Sequence, residues 1–264
     1  MKRVPGALIL LLAWGGLAAS APWLNLHPNR IDLDHILTPP TLFAPLGYDD
    51  LGRSLWDRLI FGARTSLLVA VAVVTLSGTL GIGIGVSSAY LGGAWDRLAN
   101  WLIDVVLAFP GILLAIALAG ILGPGLENVV IALCSVGWVG YARLARGQVL
   151  TLIHRDHVLA AQALGAGRLR IMTRHLLPLL AAPLIVEASF NVAAVVLAEA
   201  GLSFLGMGIQ APAASWGSMI RDGTRYMLVA PHMVLAPGLS LLLIVLAINL
   251  LGDRLRDRLD VRGR

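Results

Sequence analysis

Long apolar stretches dominate this chain and alternate with short segments that carry charged side chains. Four windows without any Asp, Glu, Lys or Arg exceed the roughly 20 residues that a helix needs to cross a bilayer: 4–29, 65–95, 105–126 and 226–252. Two further apolar windows, 128–142 and 175–198, are interrupted only by Glu187. The pattern predicts six membrane-spanning helices, at about 5–22, 64–91, 98–123, 127–147, 176–200 and 232–252.

The composition supports an all-α polytopic membrane protein. The chain is 58% hydrophobic and 13% charged, whereas a soluble domain carries about 25% charged residues. A single cysteine, Cys134, excludes a disulfide within the chain. The net charge of +5 is not accompanied by a basic patch interleaved with aromatic residues, so nucleic-acid binding is not indicated.

The positive charges predict an orientation, because Lys and Arg are retained on the cytoplasmic side. With a cytoplasmic N-terminus, 14 of the 20 basic residues fall in inner segments and six in outer ones. Both termini and the loop 141–178 are then cytoplasmic, and the loops 23–63 and 201–231 are external. Met-Lys-Arg, an apolar run and Ala19-Ser20-Ala21 also fit a cleavable signal, although the length of the run favours a retained first span.

Glycine and proline positions predict how the helices pack and bend. Gly81 and Gly85, one turn apart in the second span, are typical of close helix packing in lipid. Pro110 should bend the third helix, and Pro178 and Pro183 should kink or break the fifth. Prolines make the loop 23–63 irregular, and its end, 55–64, is predicted to form a short interfacial helix.

Three acids lie within or near the predicted spans: Asp104, Glu187 and Glu199. Intramembrane acids are costly and usually face a bundle interior or an aqueous cavity. They are therefore candidates for the translocation path, with a purely local partner as the alternative. His154 and His157 lack a third ligand nearby in sequence, so no metal site is predicted.

The loop 141–178 is the most unusual segment, because it holds six arginines against one acid, Asp156. An apolar helical pattern at 158–164 lies inside it, with Asp156 as the expected N-cap and Gly165 as a left-handed stop. Such a helix suits docking to a cytoplasmic partner, and the alternative is a helix lying on anionic lipid. The residues predicted to couple to that partner are Asp156, Val158, Leu159, Ala160, Ala161, Ala163, Leu164, Gly165 and Arg168.

The chain cannot hydrolyse ATP through a phosphate-binding loop of its own. Its one lysine is Lys2, so the motif GxxxxGK[ST] cannot occur. No Ser/His/Asp or Cys/His arrangement stands out in the outer loops, and the chain is not expected to be an enzyme. Energy must therefore come from a partner or from an ion gradient.

The cytoplasmic loop resembles the EAA loop of ABC-importer permeases. It carries Ala-Ala-x-x-x-Gly at 160–165 and, after a basic stretch, Leu-Pro at 177–178. Leu159 stands where that family usually has Glu, and His175 where it usually has Ile. The His-Leu-Leu-Pro form at 175–178 is common in the peptide branch of the family.

The rest of the chain is similar to the second permease subunit of dipeptide, oligopeptide and nickel importers. The matching pieces occur in the same order along the chain, at 46–53, 58–67, 108–110, 141–143, 202–208, 215–217, 237–238 and 249–257. Tyr48 replaces the usual Thr of Gly-Thr-Asp, and Ser54 replaces the Asp of Gly-Arg-Asp.

This resemblance implies a type I ABC-importer permease fold, with a first helix and external loop at 1–63, a permease core at 64–264 and a coupling loop at 150–178. It implies a heterodimer with a homologous permease, two cytoplasmic ATPases that hold ATP and Mg, and an extracytoplasmic binding protein, with no cofactor on this chain. The implied location is the bacterial inner membrane. Peptide is the expected cargo, nickel or a metal–metallophore complex is an alternative, and an ion-coupled carrier is the alternative of another class.

Overall fold

The computed structural model describes residues 4–259, which are mainly helical. The helices are α1 (Val4–Ser20), α2 (Leu55–Leu91), α3 (Gly93–Leu107), α4 (Gly111–Leu122), α5 (Leu126–Leu152), α6 (Asp156–Ala163), α7 (Arg168–Arg170), α8 (Leu177–Phe204), α9 (Trp216–Thr224) and α10 (His232–Leu259). A 3₁₀ turn (Leu33–His35) lies before α2, and a π-helical turn (Ile171–Leu176) joins α7 to α8. Within this part of the chain, β-type pairing is limited to an isolated bridge between Tyr48 and Ser54.

Each predicted span has a helical counterpart. Four rods are long and apolar enough to cross a membrane: Leu55–Leu91, Leu126–Leu152, Arg168–Phe204 and His232–Leu259. The pair of helices α3 and α4 is long and apolar enough to be a fifth span when the two are taken together, and the pair is bent by 85°; we call it the bent span. The apolar helix α1 is shorter, at 17 residues. The bend predicted at Pro110 is confirmed, and it breaks the helix completely, with Pro110 as the N-cap residue of α4.

One predicted helix boundary is wrong. The segment 55–64 is not a separate interfacial helix, because it continues into the 37-residue helix α2. Ser54 caps that helix by accepting a hydrogen bond from the Asp57 N–H at 3.3 Å. Serine and the Asp that the family usually has at this position are both good N-cap residues. The rod Arg168–Phe204 does not break at Pro178 or Pro183. The π-helical turn directly before Pro178 widens the helix where proline removes a donor.

The helices α2 and α5 form the most extensive contact of the bundle, and glycines make it possible. A Cβ atom added to Gly81 would collide with the Trp138 carbonyl oxygen, and one added to Gly85 with the Ala142 carbonyl oxygen. A Cβ added to Gly83, between them, would meet nothing within 4 Å. The predicted packing role of Gly81 and Gly85 is therefore confirmed.

The first helix packs against the bundle through α10 and α2. The Trp14 and Trp216 rings meet edge to face with centroids 4.1 Å apart, and Ala18 is fully buried. Lys2, Arg3, Arg262 and Arg264, which enter the charge count for orientation, lie outside the described residues.

The segment between α1 and α2 is mostly irregular, as its prolines predict, and a buried ion cluster holds it. The Asp49 carboxylate accepts hydrogen bonds from the Arg53 N–H at 2.8 Å and from Arg53 Nε at 2.6 Å. Arg58 Nε of α2 lies 3.4 Å from the same carboxylate. Burial raises the pKa of the neighbouring Asp50, and the charge of Asp49 raises it further. The loop is thereby fixed to the first turn of α2.

Candidate functional site: a short helix between two spans

The predicted partner-binding helix exists as α6, although its start differs from the expectation. Arg155, in the extended conformation (φ −75°, ψ 143°), is the N-cap residue, and no side chain caps the helix. Asp156 is the first helical residue, so its prediction as the N-cap is wrong. The helix therefore begins one residue earlier than predicted. Asp156 still places a negative charge at the positive end of the helix dipole.

The predicted stop at Gly165 is confirmed. Gly165 adopts φ +77°, its N–H donates to the Gln162 carbonyl at 2.9 Å, and the Ala166 N–H donates to the Ala161 carbonyl at 3.0 Å. This pair of bonds is the Schellman motif, which satisfies the free carbonyls at a helix end. A Cβ added to Gly165 would meet nothing within 4 Å, so the glycine is required by backbone conformation and not by space.

One face of α6 anchors the helix to the bundle. Val158 is fully buried and Ala161 is 8% exposed. Val158 belongs to a hydrophobic cluster with Val149 of α5 and with Ile171 and Leu176 of the π-helical turn. The helix is therefore held by both rods that it connects.

The opposite face of α6 is apolar and exposed. Leu159 is 46% exposed and Leu164 is 88% exposed, and Ala160 and Ala163 are exposed as well. At 100° per residue these four side chains lie on the side of the helix away from Val158. We call them the outward apolar face. The charged residues that flank it in sequence, Arg155, Asp156 and Arg168, are exposed as well.

The structure thus places the predicted coupling residues in four different settings. The outward apolar face can contact a partner, whereas Val158 and Ala161 are internal anchors. Gly165 shapes the helix end, and Asp156 and Arg168 provide charge beside the face.

An ion pair that the sequence analysis did not predict lies near this site. Arg146, close to the end of α5, binds Asp96, at the start of α3, with Nε–Oδ1 and Nη2–Oδ2 distances of 2.7 and 2.8 Å. The Asn100 amide also donates to Asp96 Oδ1 at 3.1 Å. The pair ties the bent span to the end of the rod that leads into α6. Fifty residues separate the two partners, and no local sequence signal joins them.

Reversing either charge of this pair is expected to destabilise the protein. Asp96→Arg or Arg146→Asp should each lower the melting temperature of the purified protein, and the double reversal should recover much of the loss. Because the pair is partly exposed, we expect about 1 kcal/mol for the restored interaction. Exposed Arg143, one turn earlier in α5, is in no ion pair within residues 4–259, so Arg143→Asp is the matched control. Additive losses in the double variant would contradict the coupling.

The three intramembrane acids occupy three different environments. Asp104 is exposed on α3, and Glu187 is half-buried on α8. Glu199 is fully buried, and its two oxygens accept hydrogen bonds from Ser66 and Ser203, each at 2.8 Å. The structure does not give Glu199 any free surface in this chain, and its surroundings fit the alternative of a local partner.

The chain matches a known family over most of its length. Residues 81–264 match the family described as the binding-protein-dependent transport system inner membrane component. The chain belongs to this family.

This permease has close relatives of nearly its own length. It is 43% identical to the di/tripeptide transport system permease protein DppC of Pseudomonas aeruginosa, over 98% of this chain and 88% of that one. It is 38% identical to the glutathione transport system permease protein GsiD of Escherichia coli, over 96% of this chain and 83% of that one. The predicted resemblance to the second permease of peptide importers is confirmed.

The fold is that of a type I ABC-importer permease. The solved structure of the MetNI methionine ABC transporter in an inward-facing conformation contains a chain that superimposes with a TM-score of 0.62 and 20% identity, over 78% of this chain and 97% of that one. Family membership makes this permease a multi-pass inner-membrane subunit of an importer with ATPase and binding-protein partners. An ion-coupled carrier is correspondingly disfavoured.

Proposed function

We propose that this permease forms half of the translocation pathway for di- or oligopeptides in an ATP-driven importer. It pairs with one homologous permease, and two cytoplasmic ATPases bind the complex from the side of α6. A binding protein delivers the cargo from the opposite side. Both termini are cytoplasmic, ATP and Mg are held by the ATPases, and this chain carries no catalytic group.

The observation that carries the proposal is the outward apolar face of α6. Two leucines, Leu159 and Leu164, project from a short helix between two spans without cover from the described part of the chain. Exposed apolar side chains on such a rigid element are typical of a surface that inserts into a partner's groove. The flanking charges of Asp156 and Arg168 favour one orientation in that groove.

The anchors of α6 explain how a partner's movement reaches the membrane. Val158 shares one hydrophobic cluster with Val149 of α5 and with Ile171 and Leu176 next to α8. Close-packed side chains transmit displacement because the interior has little free volume. A push on the outward apolar face therefore moves the ends of both rods, and the Asp96–Arg146 pair extends that movement to the bent span.

The cargo follows from the relatives. DppC and GsiD are both described as transport permeases for peptides, a di/tripeptide and glutathione. Peptide is therefore the proposed cargo, ahead of nickel or a metal–metallophore complex. Asp104 and Glu187 are the intramembrane acids proposed to face the pathway, since Glu199 is enclosed by serines.

Co-purification from the native membrane tests the proposal. In mild detergent, mass spectrometry is expected to identify a second permease and one or two ATPases with this chain, and a co-eluting binding protein would identify the cargo. Reconstituted into vesicles with the binding protein and ATP, the complex should take up a dipeptide. A monodisperse permease recovered alone from the membrane would contradict the importer and favour the ion-coupled carrier.

A further inference from the structure

A large apolar cavity opens beside the bent span. It has a volume of about 730 Å³ and lies between α4, α5 and α8, with its lining completed by α9 and α10. Its α8 wall includes Ala194, Ala198 and Gly201, and its α5 wall includes Leu133 and Gly137. This volume lies in the range of small-molecule sites, about 300–1,000 Å³.

Glu187 lies outside this cavity, on the continuation of the α8 face that lines it. Going back along α8 from Ala194, the next positions on the same face are Asn191 and Glu187, because residues three and four apart share a helix face. On α5 the corresponding step leads from Gly137 to Gly140. A Cβ added to Gly140 would lie 3.1 Å from Glu187 Oε1, so the two faces meet at Glu187. The acid thus lies beyond the apolar walls, on the side nearer α6.

The Glu187 carboxylate retains acceptor capacity. Its Oε1 accepts a hydrogen bond from Asn191 Nδ2 at 3.0 Å, and no Lys, Arg or His within residues 4–259 forms an ion pair with it. Glu199, by contrast, has a serine hydroxyl bonded to each of its two oxygens and is fully buried. Glu187 is only half-buried, so its side chain remains accessible to a ligand.

We propose that Glu187 binds the α-ammonium group of the passing peptide while the apolar cavity holds its side chains. An ammonium group offers three donors and a positive charge, which match a carboxylate with free acceptor positions. The hydrogen bond from Asn191 orients that carboxylate toward the cavity. This assignment rests on the proposed function, since it names the part of the cargo that the pathway recognises.

The test compares two peptides in the complete reconstituted importer: alanyl-leucine and N-acetyl-alanyl-leucine, each confirmed by mass spectrometry to be loaded on the binding protein. For each ATP hydrolysed, the wild-type importer should move about ten times as much free peptide as acetylated peptide. This transport ratio corresponds to the free energy of one charge-assisted hydrogen bond. Glu187→Gln, which keeps the shape and the bond from Asn191, should bring the ratio close to one. Binding-protein-stimulated ATP hydrolysis should persist in this variant.

Two further variants separate recognition from folding. Asn191→Ala removes the donor that orients the carboxylate and should lower the ratio about threefold. Glu127→Gln neutralises an exposed acid in the first turn of α5, at the other end of the helix, and should leave the ratio unchanged. A transport ratio that stays unchanged in Glu187→Gln overturns the assignment. If Glu187→Gln does not assemble, an unchanged ratio in Asn191→Ala overturns it instead. Equal wild-type rates for the two peptides also overturn it. Failure of the wild type to move either peptide would instead count against the proposed function.

Discussion

Replacing Leu164 by aspartate is expected to abolish uptake while the protein remains folded in the membrane. Leu164 is 88% exposed, so its removal costs the isolated chain almost no packing. In the assembled importer the same position is proposed to enter an apolar groove of the ATPase. An unpaired charge buried there costs about 2–5 kcal/mol, which is at least about a 30-fold loss of productive docking.

The experiment compares peptide uptake and binding-protein-stimulated ATP hydrolysis in vesicles. Ala160→Asp, on the same exposed face, should behave like Leu164→Asp. Gln162→Asp adds the same charge to an exposed position on the flank of α6 and should retain most activity. Val158→Asp should instead reduce the amount of folded protein, because Val158 is fully buried. Normal uptake in both Leu164→Asp and Ala160→Asp would disprove docking through this face.

The spans could be predicted from sequence because lipid imposes a simple rule. An apolar window longer than the bilayer core must be helical, since only a helix satisfies its own backbone hydrogen bonds there. The bend at Pro110 and the packing of Gly81 and Gly85 follow from the chemistry of single residues, so they were predictable too. The boundaries of the helices were less predictable, and residues 55–64 show why. Its charged residues indicate an interface, whereas the structure buries Arg58 against Asp49 and continues the helix.

Contacts between residues far apart in the chain could not be predicted from the sequence. Asp96 and Arg146 pair across two helices, and Glu199 finds Ser66 on another helix and Ser203 one turn away. A sequence read alone gives the cost of an intramembrane acid and not the partner that offsets it. The π-helical turn before Pro178 is similarly a response to packing and leaves no pattern of its own.

The short helix α6 could be predicted from the sequence, but its two faces could not be told apart. In α6 the apolar residues at 158–161, 163 and 164 surround the helix, so their periodicity does not distinguish an inner from an outer face. The structure makes that distinction through Val149, Ile171 and Leu176, which come from both neighbouring rods. The separation of anchors from the outward apolar face is what makes the Leu164 and Val158 variants informative.

Substituting Gly81 by valine is expected to have the largest effect on folding. The added Cβ would collide with the Trp138 carbonyl oxygen and lie 2.7 Å from the Tyr141 Cβ. Neither neighbour is the mobile end of a side chain, so α2 and α5 must separate. Overpacking in a close-packed interior costs about 1–3 kcal/mol or more, and here it acts on the main helix contact of the bundle.

Gly83 provides the control within the same helix. Valine at Gly83 has the same β-branched shape and the same helix propensity, but a Cβ there meets nothing within 4 Å. Gly83→Val should therefore give monodisperse protein with nearly normal melting temperature, whereas Gly81→Val should give little or none, as measured by size-exclusion chromatography and thermal melting. Alanine variants should show a graded loss of stability. Gly78→Ala makes ordinary contact with Tyr141 at 3.7 Å and should lose little, whereas Gly85→Ala collides with the Ala142 carbonyl and should lose more. Equal stability of the Gly81 and Gly83 variants would mean that α2 and α5 do not pack this closely.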